Sequence, residues 1–183
     1  MTAGAKKSKK KTNKALSVSL YILTVLILAF TIRYFVIMRS VVDGVSMEDT
    51  LYDGDNVLVN ELSYKLSKPK RYDVIIFPER ATGELLVKRV IGLPGEYVKI
   101  EKGFIYINEQ PLIEFYGKDD EIADGGAASE GILLDKGEYF VLGDNRNAST
   151  DSRSVTVGNV HQDEIIGKVM LRIFPFNKFG VIK

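Results

Sequence analysis

The sequence predicts a mostly β, antiparallel fold behind one N-terminal membrane-spanning helix. Three observations carry that expectation: a basic run followed by an uncharged apolar stretch, short apolar runs of strand length after it, and turn residues that separate those runs.

The N-terminal stretch comes first. Lys6, Lys7, Lys9, Lys10, Lys11 and Lys14 form a basic tail without acids, and Ala15 to Ile32 then continue without a charge, dominated by Leu, Ile and Val. A helix needs about 20 apolar residues to cross a bilayer. A cleavable leader is the competing reading, but its apolar region runs only about 7 to 15 residues and ends at small residues. This one passes through Arg33 into Tyr34, Phe35, Val36, Ile37 and Met38. The expectation is a retained anchor at 15–38 behind a cytoplasmic tail at 1–14. Because lysines flank the N-terminal side, residues 40–183 are expected outside the cytoplasm.

Charge follows the same division. Eight of the 25 basic residues stand at or before Arg39 and none of the 24 acidic ones does, so residues 40–183 keep 17 basic residues and a formal charge of −7. An acidic domain argues against a nucleic-acid partner, which would call for a basic face. Cysteine is absent, which excludes disulfides, thiol nucleophiles and thiolate metal sites. No HExxH pattern occurs, and the single histidine, His161, sits in the polar segment NVHQD, so the expectation is a surface histidine and no metal or cofactor.

Within residues 40–183 the strand candidates are Asn56 to Val59, Val74 to Phe77, Leu85 to Ile91, Tyr97 to Ile100, Phe104 to Ile107, Tyr139 to Leu142 and Ile165 to Ile173. Gly54, Pro78, Gly83, Pro94-Gly95, Gly103, Asn108-Glu109 and Gly137 punctuate them. Residues 117–137, with Asp119-Asp120-Glu121 and Gly125-Gly126, read as a polar excursion from the core.

Three segments carry candidate chemistry. In GVSMEDTL, residues 44–51, Ser46 precedes Asp49 by three positions, which matches a capping box as well as it matches a nucleophile. In the strand ELLVKRVIG, Lys88 shares a face with Leu86 and Val90 while Arg89 shares the other with Val87 and Ile91. Lys88 can snorkel to an edge, or lie buried with a lowered pKa and accept a proton from a hydroxyl. The third segment is GDNRNASTDSR, residues 143–153, either a polar turn or a structured loop held by Asp144, Arg146, Asp151 and Arg153. Its hydroxyls, Ser149 and Ser152, follow a strand directly and could orient another side chain.

In order behind a single anchor, these motifs resemble the bacterial type I signal peptidases, membrane-bound serine-lysine proteases, in their shorter single-span form. The matching pieces are Ser46-Met47 with Thr50-Leu51, RYDVIIF from Arg71, KRVIGLPGE from Lys88, GDNRNASTDSR, and the closing RIFPFNKFG, so the likeness spans nearly the whole chain. The resemblance implies a β fold shared with self-cleaving repressor proteases, with a small inserted subdomain near 103–137. It makes Ser46 the nucleophile, Lys88 its general base, Ser149 the hydroxyl that orients the lysine, and Asp151 with Arg153 a supporting ion pair.

Three positions depart from the family pattern: Asp49 stands at a usual proline, Tyr72 at a usual glycine, and Gly44 where some members place an oxyanion-binding hydroxyl. The backbone N–H groups of Ser46 and Gly44 are then the oxyanion candidates. The implied substrates are exported preproteins with small residues at the −3 and −1 positions, bound as an extended strand beside a sheet edge. The lipid bilayer is the other implied partner.

Met47, Leu86 and Val90 are candidates for lining the catalytic neighbourhood, or plain core. Phe174, Phe176 and Phe179 either pack internally or meet the lipid interface. Two rivals share the fold: a self-cleaving repressor, expected to carry a DNA-binding module in place of the span, and a non-enzymatic membrane-tethered assembly factor, against which the intact Ser46 and Lys88 speak.

Overall fold

The computed structural model describes residues 14, 16–30, 37–117 and 121–183. They fall into two units, one ending at Ile37 and one running from Met38 to Lys183.

The first unit contains a helix, α1, over residues 16–30. Its sequence has no charge, and its large apolar side chains, Leu20, Leu23, Leu26 and Phe30 among them, are exposed. Among the described residues no helix is long and apolar enough to cross a membrane. The rest of the apolar stretch, residues 15 and 31–36, and nearly all of the basic tail lie outside the described residues.

The second unit is mostly antiparallel β. Its strands are β1 (Ile37–Val41), β2 (Asn56–Asn60), β3 (Val74–Pro78), β4 (Leu85–Gly92), β5 (Tyr97–Glu101), β6 (Phe104–Ile107), β7 (Gln110–Pro111), β8 (Ile132–Leu133), β9 (Glu138–Leu142), β10 (Val160–His161), β11 (Gly167–Phe174) and β12 (Gly180–Val181). One short helix, α2 (Ser63–Leu66), follows β2. Each apolar run read as a strand is one, within two residues at either end. Ile37 and Met38, grouped with the anchor on hydropathy, are the first residues of β1.

The larger sheet has the order β1-β2-β11-β3-β4-β9-β10, with β12 added to β11. Its central strands are buried on both faces, which is why VIIF in β3 and VKRVI in β4 read as continuous runs rather than alternating ones. On one side Val57, Val59, Val74, Ile76 and Val169 pack with Met47 and Leu51. On the other, Ile75, Phe77, Val90, Tyr139 and Val141 pack with Tyr64 and Val160.

The smaller sheet, β7-β6-β5-β8, spans residues 97–133: β5, β6 and β7 follow one another as neighbours, and β8 returns to pair with β5, a Greek-key order. Lys102-Gly103 and Asn108-Glu109, all at positive φ, make its two tight turns. Val98, Ile100, Ile105 and Ile107 pack with Ile91, Phe140 and Leu142 of the larger sheet, so the two sheets share a core. Gly92 makes that junction possible: a Cβ there would come within 2.9 Å of Val98, Leu134 and Phe140 side-chain atoms, at the register shift between β4 and β9. The segment read as a polar excursion also contributes buried residues, Ile122, Ala128 and Leu134, so it is held to the core at three points.

Candidate active site

Ser46 opens a turn, residues 46–50, soon after β1 ends. The buried side chains of Met47 and Leu51 root this turn in the core, and the Leu51 N–H closes it on the Met47 carbonyl at 2.7 Å. No helix follows, and Ser46 Oγ does not cap a turn amide. Its partner is Lys88 Nζ, 2.6 Å away. Asp49, the other half of the presumed capping box, is exposed at φ 92°, a conformation that a proline ring forbids and that aspartate tolerates better than most residues.

Lys88 lies in the middle of β4, paired with Ile75 of β3, and is 2% exposed. It does not snorkel. Burial lowers its pKa to about 8, against the pull of Asp151 and Asp144, which favour the ammonium, and with help from Arg153, which opposes it. An amine that loses its proton near pH 8 and touches a hydroxyl can take the hydroxyl's proton.

Arg89 is also buried, with no exposure, and its charge is fully engaged. It forks onto Asp144 at 2.8 and 2.7 Å, and donates to the Tyr72 carbonyl at 2.8 Å, the Lys183 carbonyl at 2.9 Å and Thr50 Oγ1 at 3.1 Å. Thr50 Oγ1 in turn donates to Asp144 Oδ2 at 2.5 Å. The Tyr116 ring covers the guanidinium at 3.7 Å. Thus one residue of β4 ties together the Ser46 turn, the 143–153 loop and the C-terminal residues. Sequence reading placed Arg89 only on a strand face with Val87 and Ile91, although two adjacent cations in an apolar strand signal that at least one needs a buried acid.

The 143–153 loop is organised by Asp151. Its carboxylate accepts from the Gly143 N–H at 3.1 Å and from Arg153 Nε at 2.8 Å, and Arg153 reaches back to the Arg146 carbonyl at 2.5 Å. Asp144 and Arg146 do not pair with each other. Asp144 turns to Arg89, while Arg146 pairs with Glu114 and donates to the Gly143 carbonyl at 3.0 Å. The loop clamps the Ser46 turn through Asn145, whose N–H donates to the Ser46 carbonyl at 3.0 Å and whose side chain donates to the Val45 carbonyl at 3.1 Å.

Gly143 leaves no space for a side chain, since a Cβ there would meet Ser149 Oγ at 2.2 Å and the Ser46 carbonyl at 2.4 Å. Ser149 therefore lies close to the Ser46 turn. Its Oγ is buried without a hydrogen-bond partner, so it does not bond Lys88 in this arrangement. Ser152 is committed elsewhere, its hydroxyl accepting the Val141 N–H at 2.9 Å.

The Gly44 N–H donates to Asp53 Oδ1 at 2.9 Å, which turns it toward that carboxylate. The Ser46 N–H has no acceptor among the described residues. Met47 belongs to the core beneath the turn, and Leu86 and Val90 pack around Ile75 and Tyr139. His161 is about half exposed, 3.9 Å from Glu138 and 3.7 Å from Asp163. Phe174, Phe176 and Phe179 are 49%, 80% and 62% exposed and line an apolar hollow with Ile173, Arg39 and Asn56, so they do not pack internally.

The family described as "Signal peptidase, peptidase S26" matches residues 15–174. The chain belongs to the signal peptidase S26 family. Its membership makes it a serine endopeptidase. Signal peptidase I T of Bacillus subtilis (strain 168) is 37% identical over 184 residues, covering 97% of this chain and 95% of its own length. Signal peptidase I of Bacillus caldolyticus is 38% identical over 160 residues, covering 82% and 86%. A crystal structure of a signal peptidase I from Enterococcus faecalis V583 is 36% identical, covers 56% of this chain and 97% of its own, and has a TM-score of 0.47.

Proposed function

We propose that this S26 peptidase removes N-terminal signal peptides from exported preproteins at the outer face of the cytoplasmic membrane, with Ser46 as nucleophile and Lys88 as general base. The observation that carries the reading is the 2.6 Å contact between Ser46 Oγ and a buried lysine whose pKa is lowered to about 8. With Lys88 neutral, the same contact passes the hydroxyl proton to the amine lone pair as Oγ attacks the scissile carbonyl carbon.

The tetrahedral oxyanion that forms is met by the free Ser46 N–H. Its collapse breaks the C–N bond, and the Lys88 ammonium protonates the leaving amine, which departs as the new N-terminus of the mature protein. Lys88, neutral again, takes a proton from water as it adds to the acyl carbonyl, then returns that proton to Ser46 Oγ as the free carboxylate leaves. In this reading Ser149 Oγ, buried and unpartnered close to the turn, supplies a hydrogen bond to the ammonium once it has formed.

The substrate reading rests on the family and on an open sheet edge. β1 is an edge strand of the larger sheet and runs into the segment that carries Ser46, so an extended chain pairing along it is led toward the nucleophile. Small residues at the −3 and −1 positions fit a site walled by strand and turn backbone. Membrane attachment rests on the uncharged stretch from residue 15, on the basic tail before it, and on the exposed Phe174, Phe176 and Phe179 face.

Full-length protein in detergent, incubated with a preprotein carrying such a cleavage site, should yield a single product whose new N-terminus follows the −1 residue. The Ser46→Ala protein should yield none. Cleavage that persists in folded Ser46→Ala, or a product cut elsewhere, contradicts the proposal.

A further inference from the structure

Tyr72 holds a backbone conformation that a tyrosine adopts only against resistance. Its φ is 72°, the left-handed region in which glycine alone is at ease. Such a residue persists where its side chain gains something that glycine cannot supply. Here the hydroxyl donates to the Ile113 carbonyl at 2.9 Å, and the ring lies 5.3 Å from that of Tyr116. Burial pushes the phenol's pKa up, so it stays a donor throughout the working range.

Residues 113–117 are a strap without regular structure that follows β7, in the connection between β7 and β8 of the smaller sheet. Three fastenings hold it: Ile113 by the Tyr72 hydroxyl, Glu114 by Arg146, and Tyr116 on the Arg89 guanidinium. Tyr72 touches both ends of this arrangement, since its own carbonyl accepts from Arg89 at 2.8 Å. Remove its side chain and the strap loses one fastening and the neighbour of the ring that covers Arg89.

We propose that Tyr72 is a positioning residue: through Tyr116 and the 113–117 strap it keeps the Arg89–Asp144 pair closed and covered next to the Lys88 amine. This rests on the Ser46–Lys88 reading of the site. The charged groups around Lys88 are Asp144, Asp151 and Arg153 of the loop and Arg89 of its own strand, and those at the strap are Glu114 and Arg146. Loosening Arg89 leaves the Asp144 charge less neutralised and lets water approach. Both changes favour the ammonium, so the Lys88 pKa rises.

The test uses full-length protein in detergent and two variants, Tyr72→Gly, which frees the backbone and removes the ring, and Tyr72→Phe, which removes only the hydroxyl. Two readouts are taken: kcat/KM against pH on a short peptide, and the Lys88 titration by NMR of labelled lysine, assigned with Lys88→Met. For Tyr72→Gly both midpoints should move up by roughly half a unit to one unit, with a roughly three- to tenfold fall in kcat/KM near neutral pH.

Tyr72→Phe should move the midpoints the same way by less, and it decides the matter if the glycine variant fails to fold. Unmoved midpoints overturn the proposal, whether or not activity falls, because a merely structural role would lower activity without retuning the lysine. Absence of Ser46-dependent cleavage in the parent protein would sink the functional reading, while the NMR titration would still decide the role of Tyr72.

Discussion

Lys88 and Arg89 are adjacent cations on one strand, both withdrawn from water, and the protein treats them in opposite ways. Arg89 receives a bidentate carboxylate, two backbone carbonyls, a hydroxyl and an aromatic face. Lys88 receives one hydroxyl, with two carboxylates acting on it only through space. A buried guanidinium cannot shed its proton, so it must be paired to be tolerated at all. A buried amine can shed its proton, and leaving it poorly paired is what the proposed role of general base requires. The difference teaches that the strand supplies burial to both, and that the partners brought by the 143–153 loop decide which cation is held charged and which can lose its proton.

The largest expected effect breaks the comparison on the Lys88 side. Ser46→Ala and Lys88→Met should each lower kcat/KM by about a thousandfold or more, while the double variant loses little beyond either, since the two groups act as a unit. Near-additive losses in folded proteins would contradict a shared proton transfer.

Breaking the Arg89 side should act on stability instead. Arg89→Met or Asp144→Asn leaves a buried partner uncompensated, at a cost of about 3 to 5 kcal/mol. A chemical-denaturation midpoint within error of the parent protein would show that the pair is not what ties the turn to the loop. Replacing both together should cost less than either single change implies.

Stability should also move in the opposite direction at Lys88. The folded amine titrates near 8 and the ordinary value is 10.5, so between these limits the unfolded chain binds more protons and stability rises with pH. Below pH 8 the penalty is fully present, about 3 kcal/mol for a shift of this size. Lys88→Met should therefore be more stable than the parent at pH 7, with the gap closing as the pH approaches 10.5. An unfolding series at several pH values checks both sign and window.

Much of this was legible in the sequence, for a physical reason. Apolar runs bounded by glycine, proline and asparagine set β2, β3, β4, β5, β6, β9 and β11, because a two-layer β core leaves no other use for them. The two-residue strands β7, β8, β10 and β12 were not legible, since they are defined by what they pair with rather than by their own pattern. Ser46 and Lys88 stood out as candidates, but their neighbourhoods alone left a helix cap and a snorkelling lysine equally open, and only the resemblance of the combined motifs assigned them roles. The partners of Arg89 could not be picked at all, because Thr50, Asp144, Tyr116 and Lys183 come together only by long-range folding. Arg146 shows the same limit: the sequence offered it only the acids of its own loop, Asp144 and Asp151, and the fold gave it Glu114.

The smallest expected effect sharpens the comparison. Ser149 Oγ makes no hydrogen bond in this arrangement, so Ser149→Ala removes nothing that stabilises the fold. It should lower kcat/KM by roughly tenfold, through loss of one bond to the transient Lys88 ammonium, without lowering the unfolding midpoint. A fall in stability with unchanged kinetics would assign Ser149 to packing.

The central claim is that Lys88 works as a neutral amine where Arg89 cannot. Its most direct test is the pH dependence of kcat/KM for the parent protein beside folded Lys88→Arg. The parent should rise with pH to a plateau with a midpoint near 8, and Lys88→Arg should stay inactive across the range, because guanidinium remains protonated. Substantial cleavage by Lys88→Arg, or a parent profile that is flat from pH 6 to about 9, would contradict the account and leave Ser46 to be activated by some other group.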